Sequence, residues 1–156
     1  MLILAAAVTV NCCAAELRIG TAAISITPDQ PVALDGQFNL RVSRGVDNPV
    51  TATAVALEAR VGDRTTDQAI LLSADLVAFR SFIPPRVRER LRAQLPGFDP
   101  RKLVLTATHT HTAPMVRGLC ATIFSTPIPP EHQEHIEQYT RQFIDAMAPS
   151  NFALTN

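Results

Sequence analysis

Two histidines separated by one threonine are the residues of this chain best suited to chemistry. His109 and His111 lie in the run LVLTATHTHTAPM, residues 103–115. Imidazole is the commonest protein ligand for zinc, so a close pair is a candidate metal site. A zinc site needs at least three protein donors, so the pair alone is only part of one. The pattern equally fits two strand-end histidines that form ordinary hydrogen bonds.

The residues around the pair predict the element that positions it. Residues 103–108 are apolar or β-branched, which predicts a strand buried on both faces. Side chains alternate along a strand, so His109 and His111 are expected to project to the same side. Pro114 has no N–H and is expected to end the strand pairing. The imidazoles would then stand where a strand runs into a loop, which is where open α/β sheets usually bind ligands.

The preceding segments predict a parallel neighbour for this strand. Residues 68–76 form a second apolar strand, and a helix begins at Pro84 with a buried stripe of Val87, Leu91 and Leu95. A strand, a helix and a strand in this order indicate a βαβ crossover with a right-handed connection. The predicted fold class is therefore α/β, with a mixed sheet that contains at least one such crossover.

The crossover brings one carboxylate to the same sheet edge as the histidines. Asp75 ends the predicted strand of residues 68–76, and His109 ends the next one. A carboxylate in this place can orient an imidazole that binds a metal or substrate. It can equally serve as a helix N-cap or a loop anchor, and the sequence leaves these alternatives open.

Four further segments complete the predicted organisation. Residues 17–27 and 51–61 are predicted strands, and a Gly-Asp turn after residue 61 joins the second of them to residues 68–76 as a hairpin. A second helix is predicted over residues 131–147, with an apolar face made of Ile136, Tyr139, Phe143, Ile144 and Met147. The stretch 29–49 is predicted to be a long loop, and loops of this length are usually functional or disordered. Its Arg41 and Arg44 could reach a substrate or could be solvated.

Other candidate residues have simpler interpretations. His132 and His135 are three residues apart, whereas the known helical zinc motifs need a spacing of four, so solvent exposure is expected for both. Ser73 and Ser81 lack the glycines of a nucleophile elbow. Cys120 is the one cysteine beyond residue 15, and it is predicted to be a small buried side chain rather than half of a disulfide.

Composition indicates one domain and excludes nucleic acid as an expected partner. The chain has 156 residues, of which 47% are apolar and 18% charged, which suffices for a core. Fourteen basic residues balance fourteen acidic ones, and no basic stripe contains aromatic residues for base stacking. Residues 1–10 are apolar apart from Thr9, which favours a signal peptide over residues 1–15 and export of residues 16–156.

Three motifs resemble the neutral (non-lysosomal) ceramidases and their bacterial relatives. They are RIGTAAISITP at residues 18–28, SADL at residues 73–76 and TATHTHTAP at residues 106–114. The family version of the last motif reads Thr-His-Thr-His-Ser-Gly-Pro, and it is the most specific of the three. The motifs occur in family order and span most of the predicted mature chain.

The resemblance implies a function and a cofactor. Members of this family hydrolyse the amide bond of ceramide to a fatty acid and sphingosine at a zinc site. By resemblance, His109 would be a zinc ligand and His111 a neighbour that contacts substrate or the bound water. A lipid-like amide would be the substrate, with peripheral contact to a membrane and a secreted or periplasmic location.

The resemblance also implies that the site is incomplete. The family's other zinc ligands, a second histidine, a glutamate and a tyrosine, come from later in a longer chain and have no match here. The chain is thus expected to be an N-terminal portion of a larger α/β catalytic domain, inactive alone. Two alternatives remain: a non-catalytic α/β domain or pseudoenzyme with a structural histidine pair, and a complete small metallohydrolase using His109, His111 and Asp75.

Overall fold

The fold is a four-stranded mixed sheet with two helices on one face and a small two-stranded ladder beside it. The structure is a computed structural model that describes residues 15–118 and 127–147. In chain order the elements are β1 (Ala15–Ser25), β2 (Ala33–Leu34), β3 (Arg41–Val42), β4 (Thr51–Val61), β5 (Arg64–Ala74), α1 (Ile83–Gln94), a 3₁₀ turn (Pro100–Lys102), β6 (Leu103–Ala107) and α2 (Pro130–Ala146).

The strand order β1-β4-β5-β6 confirms the mixed sheet and the predicted crossover. β1 pairs antiparallel with β4, and β4 pairs antiparallel with β5 through a tight turn at Gly62, whose φ of 59° suits glycine. β5 and β6 are parallel and are connected by α1. The hairpin is longer than predicted because β5 begins at Arg64, directly after the turn. This arrangement is α/β, as the sequence indicates.

Both helices pack on the same face of the sheet and form the main core there. α1 contributes Ile83, Val87 and Leu91, all at most 4% exposed. The prediction of Leu95 in this stripe is wrong: Leu95 is the C-cap of α1 and is 36% exposed, because the helix ends before it. The predicted apolar face of α2 is confirmed, with every member buried: Ile136, Tyr139, Phe143, Ile144 and Met147.

The opposite face of the sheet is open, which corrects the prediction of strands buried on both faces. Leu71 of β5 lies opposite Val104 of β6, and these side chains are 41% and 53% exposed. On the edge strand β1, Ile19 is 61% exposed. The apolar runs predicted double burial, but within residues 15–118 and 127–147 the helices cover one face only. The apolar runs of β5 and β6 therefore include side chains, such as Leu71 and Val104, on a sheet face that the described residues leave uncovered.

The predicted loop of residues 29–49 is partly ordered into β2 and β3 and packs beside the segment that follows the histidines. Leu34 forms an isolated bridge with Pro114. A second, smaller core lies beneath this contact and contains Val32, Ala33, Met115, Ile128 and Ile136. The loop is therefore attached to the sheet edge that carries the candidate site.

Two predictions fall largely outside the described residues. The proposed signal peptide and Cys120 lie in segments of which no structure is given, apart from Ala15, which begins β1. Neither α1 nor α2 is long and apolar enough to cross a membrane, and the search covered the described residues only.

Candidate functional site

The two histidines lie beyond β6, in a turn at the carboxyl edge of the parallel strands. β6 ends at Ala107, and two further backbone hydrogen bonds follow, from Thr108 N–H to Ala74 O (3.0 Å) and from His109 N–H to Leu76 O (3.0 Å). His109 then adopts a φ of 62°, in the left-handed region. The pairing thus ends earlier than the predicted stop at Pro114.

The predicted closeness of the two imidazoles is confirmed, but for a different reason. Their ring centroids are 4.9 Å apart and the rings meet edge to face at 70°. Strand alternation cannot bring them together, because His109 is no longer in a strand. The left-handed turn at His109 does so instead. Both side chains are exposed at the sheet edge.

One hydrogen bond fixes the tautomer of His109. Its Nδ1 lies 2.8 Å from the carbonyl oxygen of Val77. A carbonyl only accepts, so Nδ1 carries the proton and Nε2 of the neutral ring keeps its lone pair. This is the usual arrangement of a metal-binding histidine, whose second nitrogen donates to a fixed acceptor. His109 is therefore prepared to bind a cation or accept a proton through Nε2.

His111 lies against the backbone of the 29–49 loop. A Cβ added to Gly36 would come within 2.6 Å of His111 Cγ, and the φ of Gly36 is 90°. Glycine is thus required here both for its conformation and for the close approach of the ring. Arg41 Nη2 donates to the carbonyl oxygen of His111 on the same side.

Asp35 and Arg80 form a buried ion pair next to this contact. The Asp35 side chain is 5% exposed and that of Arg80 17%. Asp35 Oδ1 also accepts from the N–H of Gly36 at 2.8 Å, and its own N–H donates to Ala113 O at 3.0 Å. The sequence reasoning did not single out Asp35 or Arg80. The available signal was a Leu-Asp-Gly turn inside a loop too long to be a simple connection.

Asp75 is placed at the predicted edge but contacts a strand end rather than an imidazole. Its Oδ2 accepts from both the N–H (2.8 Å) and the hydroxyl (3.0 Å) of Thr51, and its N–H donates to Thr51 O at 2.9 Å. His109 takes its ring contact from Val77 instead. Of the alternatives left open by the sequence, the loop-anchor interpretation is the one that these contacts support.

His132 and His135 lie near the start of α2 and are partly buried, which corrects the expectation of plain solvent exposure. His135 Nδ1 lies 2.8 Å from the carbonyl oxygen of Pro31, to which it donates. Nδ1 of His132 is buried without a hydrogen-bond partner. The two ring centroids are 5.8 Å apart, and the hydrogen bond of His135 ties α2 to the loop at residues 29–49.

The donor set fits part of a zinc site and not a whole one. Within residues 15–118 and 127–147, no group of three or more histidine, cysteine, aspartate or glutamate side chains could hold a metal ion. His109, His111 and Asp75 are therefore not brought together as the complete small metallohydrolase would require. His109 Nε2, with the exposed His111 ring beside it, could supply one or two imidazole donors to a site completed from elsewhere.

The fold and this edge define an α/β unit that carries an exposed histidine pair at the carboxyl end of its parallel strands. Its architecture is similar to that of solved ceramidases. The neutral ceramidase from Pseudomonas aeruginosa matches with a TM-score of 0.57 and 20% identity over 81% of this chain and 21% of the ceramidase. A ceramidase complexed with C2 matches with a TM-score of 0.59 and 19% identity over 84% of this chain and 20% of the other.

The chain spans about a fifth of the length of these ceramidases. No protein-family model and no curated protein matches the sequence. At identities of 19% and 20% the likeness is one of fold. The chain therefore has the fold of a part of a neutral ceramidase, which confirms the resemblance derived from the three motifs at the level of structure.

Proposed function

We propose that this chain forms the histidine-bearing part of a zinc-dependent amide hydrolase of neutral-ceramidase type. One observation carries the proposal. On a fold similar to part of a ceramidase, the Nδ1–H of His109 donates a hydrogen bond to Val77 O, which leaves the lone pair of Nε2 to bind a metal beside the His111 ring. This is the chemistry expected of a zinc ligand and an active-site neighbour. With one or two donors of its own, the chain alone binds zinc weakly and has little or no activity.

In this proposal each residue has one role. His109 holds the zinc through Nε2, and Val77 O keeps its ring in the required tautomer. His111 contacts the substrate carbonyl or the attacking water and moves a proton at its exposed ring nitrogen. Asp75 acts indirectly, since it anchors the strand end two residues before Val77. When bound, zinc lowers the pKa of a water molecule and polarises the carbonyl, which makes hydrolysis of an amide feasible at neutral pH.

The proposed substrate is the amide of an N-acyl lipid such as ceramide, with a fatty acid and a sphingoid base as products. Because such a lipid resides in a membrane, the enzyme would contact a membrane surface. The signal peptide predicted at residues 1–15 would place this contact outside the cytoplasm. Support comes from the TATHTHTAP motif at residues 106–114 and from the structural likeness to a ceramidase complexed with C2.

Calorimetric titration of the full chain with zinc tests this proposal. We expect weak, saturable binding that is lost in His109→Ala and unchanged in the control His132→Ala, since His132 lies on α2 and not in the turn that follows β6. Tight binding that survives His109→Ala would contradict the assignment. If the folded protein gives no heat of zinc binding and its stability does not change when a chelator is added, the alternative is favoured. That alternative is a non-catalytic domain in which the histidine pair is structural.

A further inference from the structure

One guanidinium spans the two segments that meet at the histidines. Arg41 Nη2 donates to the carbonyl oxygen of Asp35 at 3.1 Å and also to the carbonyl oxygen of His111. The first acceptor belongs to the 29–49 loop and the second to the turn after β6. Arg41 is partly buried at this junction, which holds its side chain in place.

Backbone contacts between the same segments stop short of the histidines. Met115 N–H donates to Ala33 O at 2.8 Å, and Asp35 N–H donates to Ala113 O at 3.0 Å. These bonds set the register of the loop against the segment around Pro114. Arg41 extends the junction by two residues beyond Ala113, to His111.

The junction determines where the His111 ring lies. The ring is seated against Gly36, whose N–H is held by Asp35 Oδ1 at 2.8 Å, and Asp35 is in turn paired with Arg80. The peptide between residues 35 and 36 is therefore held by hydrogen bonds at its carbonyl oxygen and at its N–H, and the His111 ring rests on this fixed peptide. If the 29–49 loop separated from the turn after β6, the His111 ring would lose its contact with Gly36, while β6 and α1 would remain in place.

We propose that Arg41 is a positioning residue that holds the His111 imidazole against Gly36 and beside His109. This rests on the proposed function insofar as His111 is the residue there assigned to contact substrate. The sequence leaves the same two alternatives for Arg41 and Arg44, contact with a substrate or solvation, and in the structure Arg44 is exposed. The role assigned here belongs to Arg41 and not to Arg44.

Nuclear Overhauser contacts between histidine rings in the metal-free full chain test the proposal. The His109 and His111 centroids are 4.9 Å apart and those of His132 and His135 5.8 Å, so each pair gives its own cross-peak. We record them at the same pH for every variant. Arg41→Ala is expected to lose the His109–His111 cross-peak and to keep the His132–His135 one. The matched control Arg44→Ala is expected to keep both.

Three results would overturn the proposal: a His109–His111 cross-peak of wild-type intensity in folded Arg41→Ala, equal losses in Arg44→Ala, or loss of both ring pairs together. If Arg41→Ala loses its helical circular dichroism, Arg41→Gln decides. That side chain keeps much of the stem but cannot reach both carbonyls, so the same cross-peak must weaken. Because no metal is added, this outcome is independent of the zinc titration, and either proposal can fail while the other stands.

Discussion

His109 has an unusual backbone conformation, and its ring forms a hydrogen bond with the backbone of Val77. Its φ of 62° costs a non-glycine residue about 1–3 kcal/mol, and such residues persist where the surroundings fix them. The surroundings here are the hydrogen bonds to Leu76 O and Val77 O, which hold its backbone and its ring. Strain of this kind is concentrated at functional sites. At this scale the sequence identified the two residues and their closeness, but not the left-handed turn, since nothing in Thr-His-Thr specifies it.

Gly36 is the residue whose replacement tests the packing of His111. In Gly36→Ala the new methyl group would lie 2.6 Å from His111 Cγ, and the backbone at φ 90° disfavours alanine. We expect a loss of about 1–3 kcal/mol in the free energy of unfolding. Chemical denaturation measures it. The matched control is Gly45→Ala, which meets no atom within 4 Å and should change stability by at most about 0.5 kcal/mol. Equal effects would mean that the His111 contact is unimportant for stability.

The elements show which sequence signals were decisive. Turn and proline signals placed β4, the turn of the hairpin and the start of α1, because glycine at φ 59° and proline in a first helical turn have local physical causes. The periodicity of α2 predicted its buried face correctly. The prediction that apolar strands are buried on both faces was wrong, since Val104 of β6 is exposed. Burial of a strand depends on whether another element covers each face of the sheet. The contact between the 29–49 loop and the segment around Pro114 was also missed, since it depends on pairing distant in sequence.

Tyr139 connects α2 to the end of β1 and gives a pH-dependent readout of that packing. Its hydroxyl donates to Ile26 O at 2.9 Å, and burial raises the pKa of this phenol above its ordinary value. The unfolded phenol ionises near pH 10 and the folded one only at higher pH. Its contribution to stability is therefore present below pH about 10 and is lost as the pH rises further.

Tyr139→Phe is expected to leave the Ile26 carbonyl without its buried donor, which lowers stability at neutral pH by about 1–2 kcal/mol. The difference between the two proteins should shrink as the pH rises above about 10. Tyr139 is the only tyrosine and there is no tryptophan, so tyrosinate absorbance follows this group alone. A phenol that titrates in the native protein as it does in denaturant would contradict the buried contact.

In the described part of the molecule, residues 15–118 and 127–147, the helices cover one face of the sheet and leave large apolar side chains exposed on the other. The sequence is 47% apolar, yet Leu17, Ile19, Leu71 and Val104 all lie on the uncovered face. This chain covers only 21% and 20% of the two solved ceramidases that it matches. A sheet face of this kind and a histidine pair with too few donors are both expected of a part of such a domain. The three sequence motifs led to the same expectation, an N-terminal portion of a larger α/β domain.

The central claim is that His109 would hold zinc through Nε2, and nitrogen-resolved NMR of the histidine rings during zinc addition tests it most directly. Before zinc is added, Nδ1 of His109 is expected to carry the proton, because Val77 O accepts it. On zinc addition the Nε2 resonance of His109 should move, that of His111 by less, and those of His132 and His135 not at all. A proton on Nε2 in the free protein, or zinc-induced shifts confined to His132 and His135, would contradict the account.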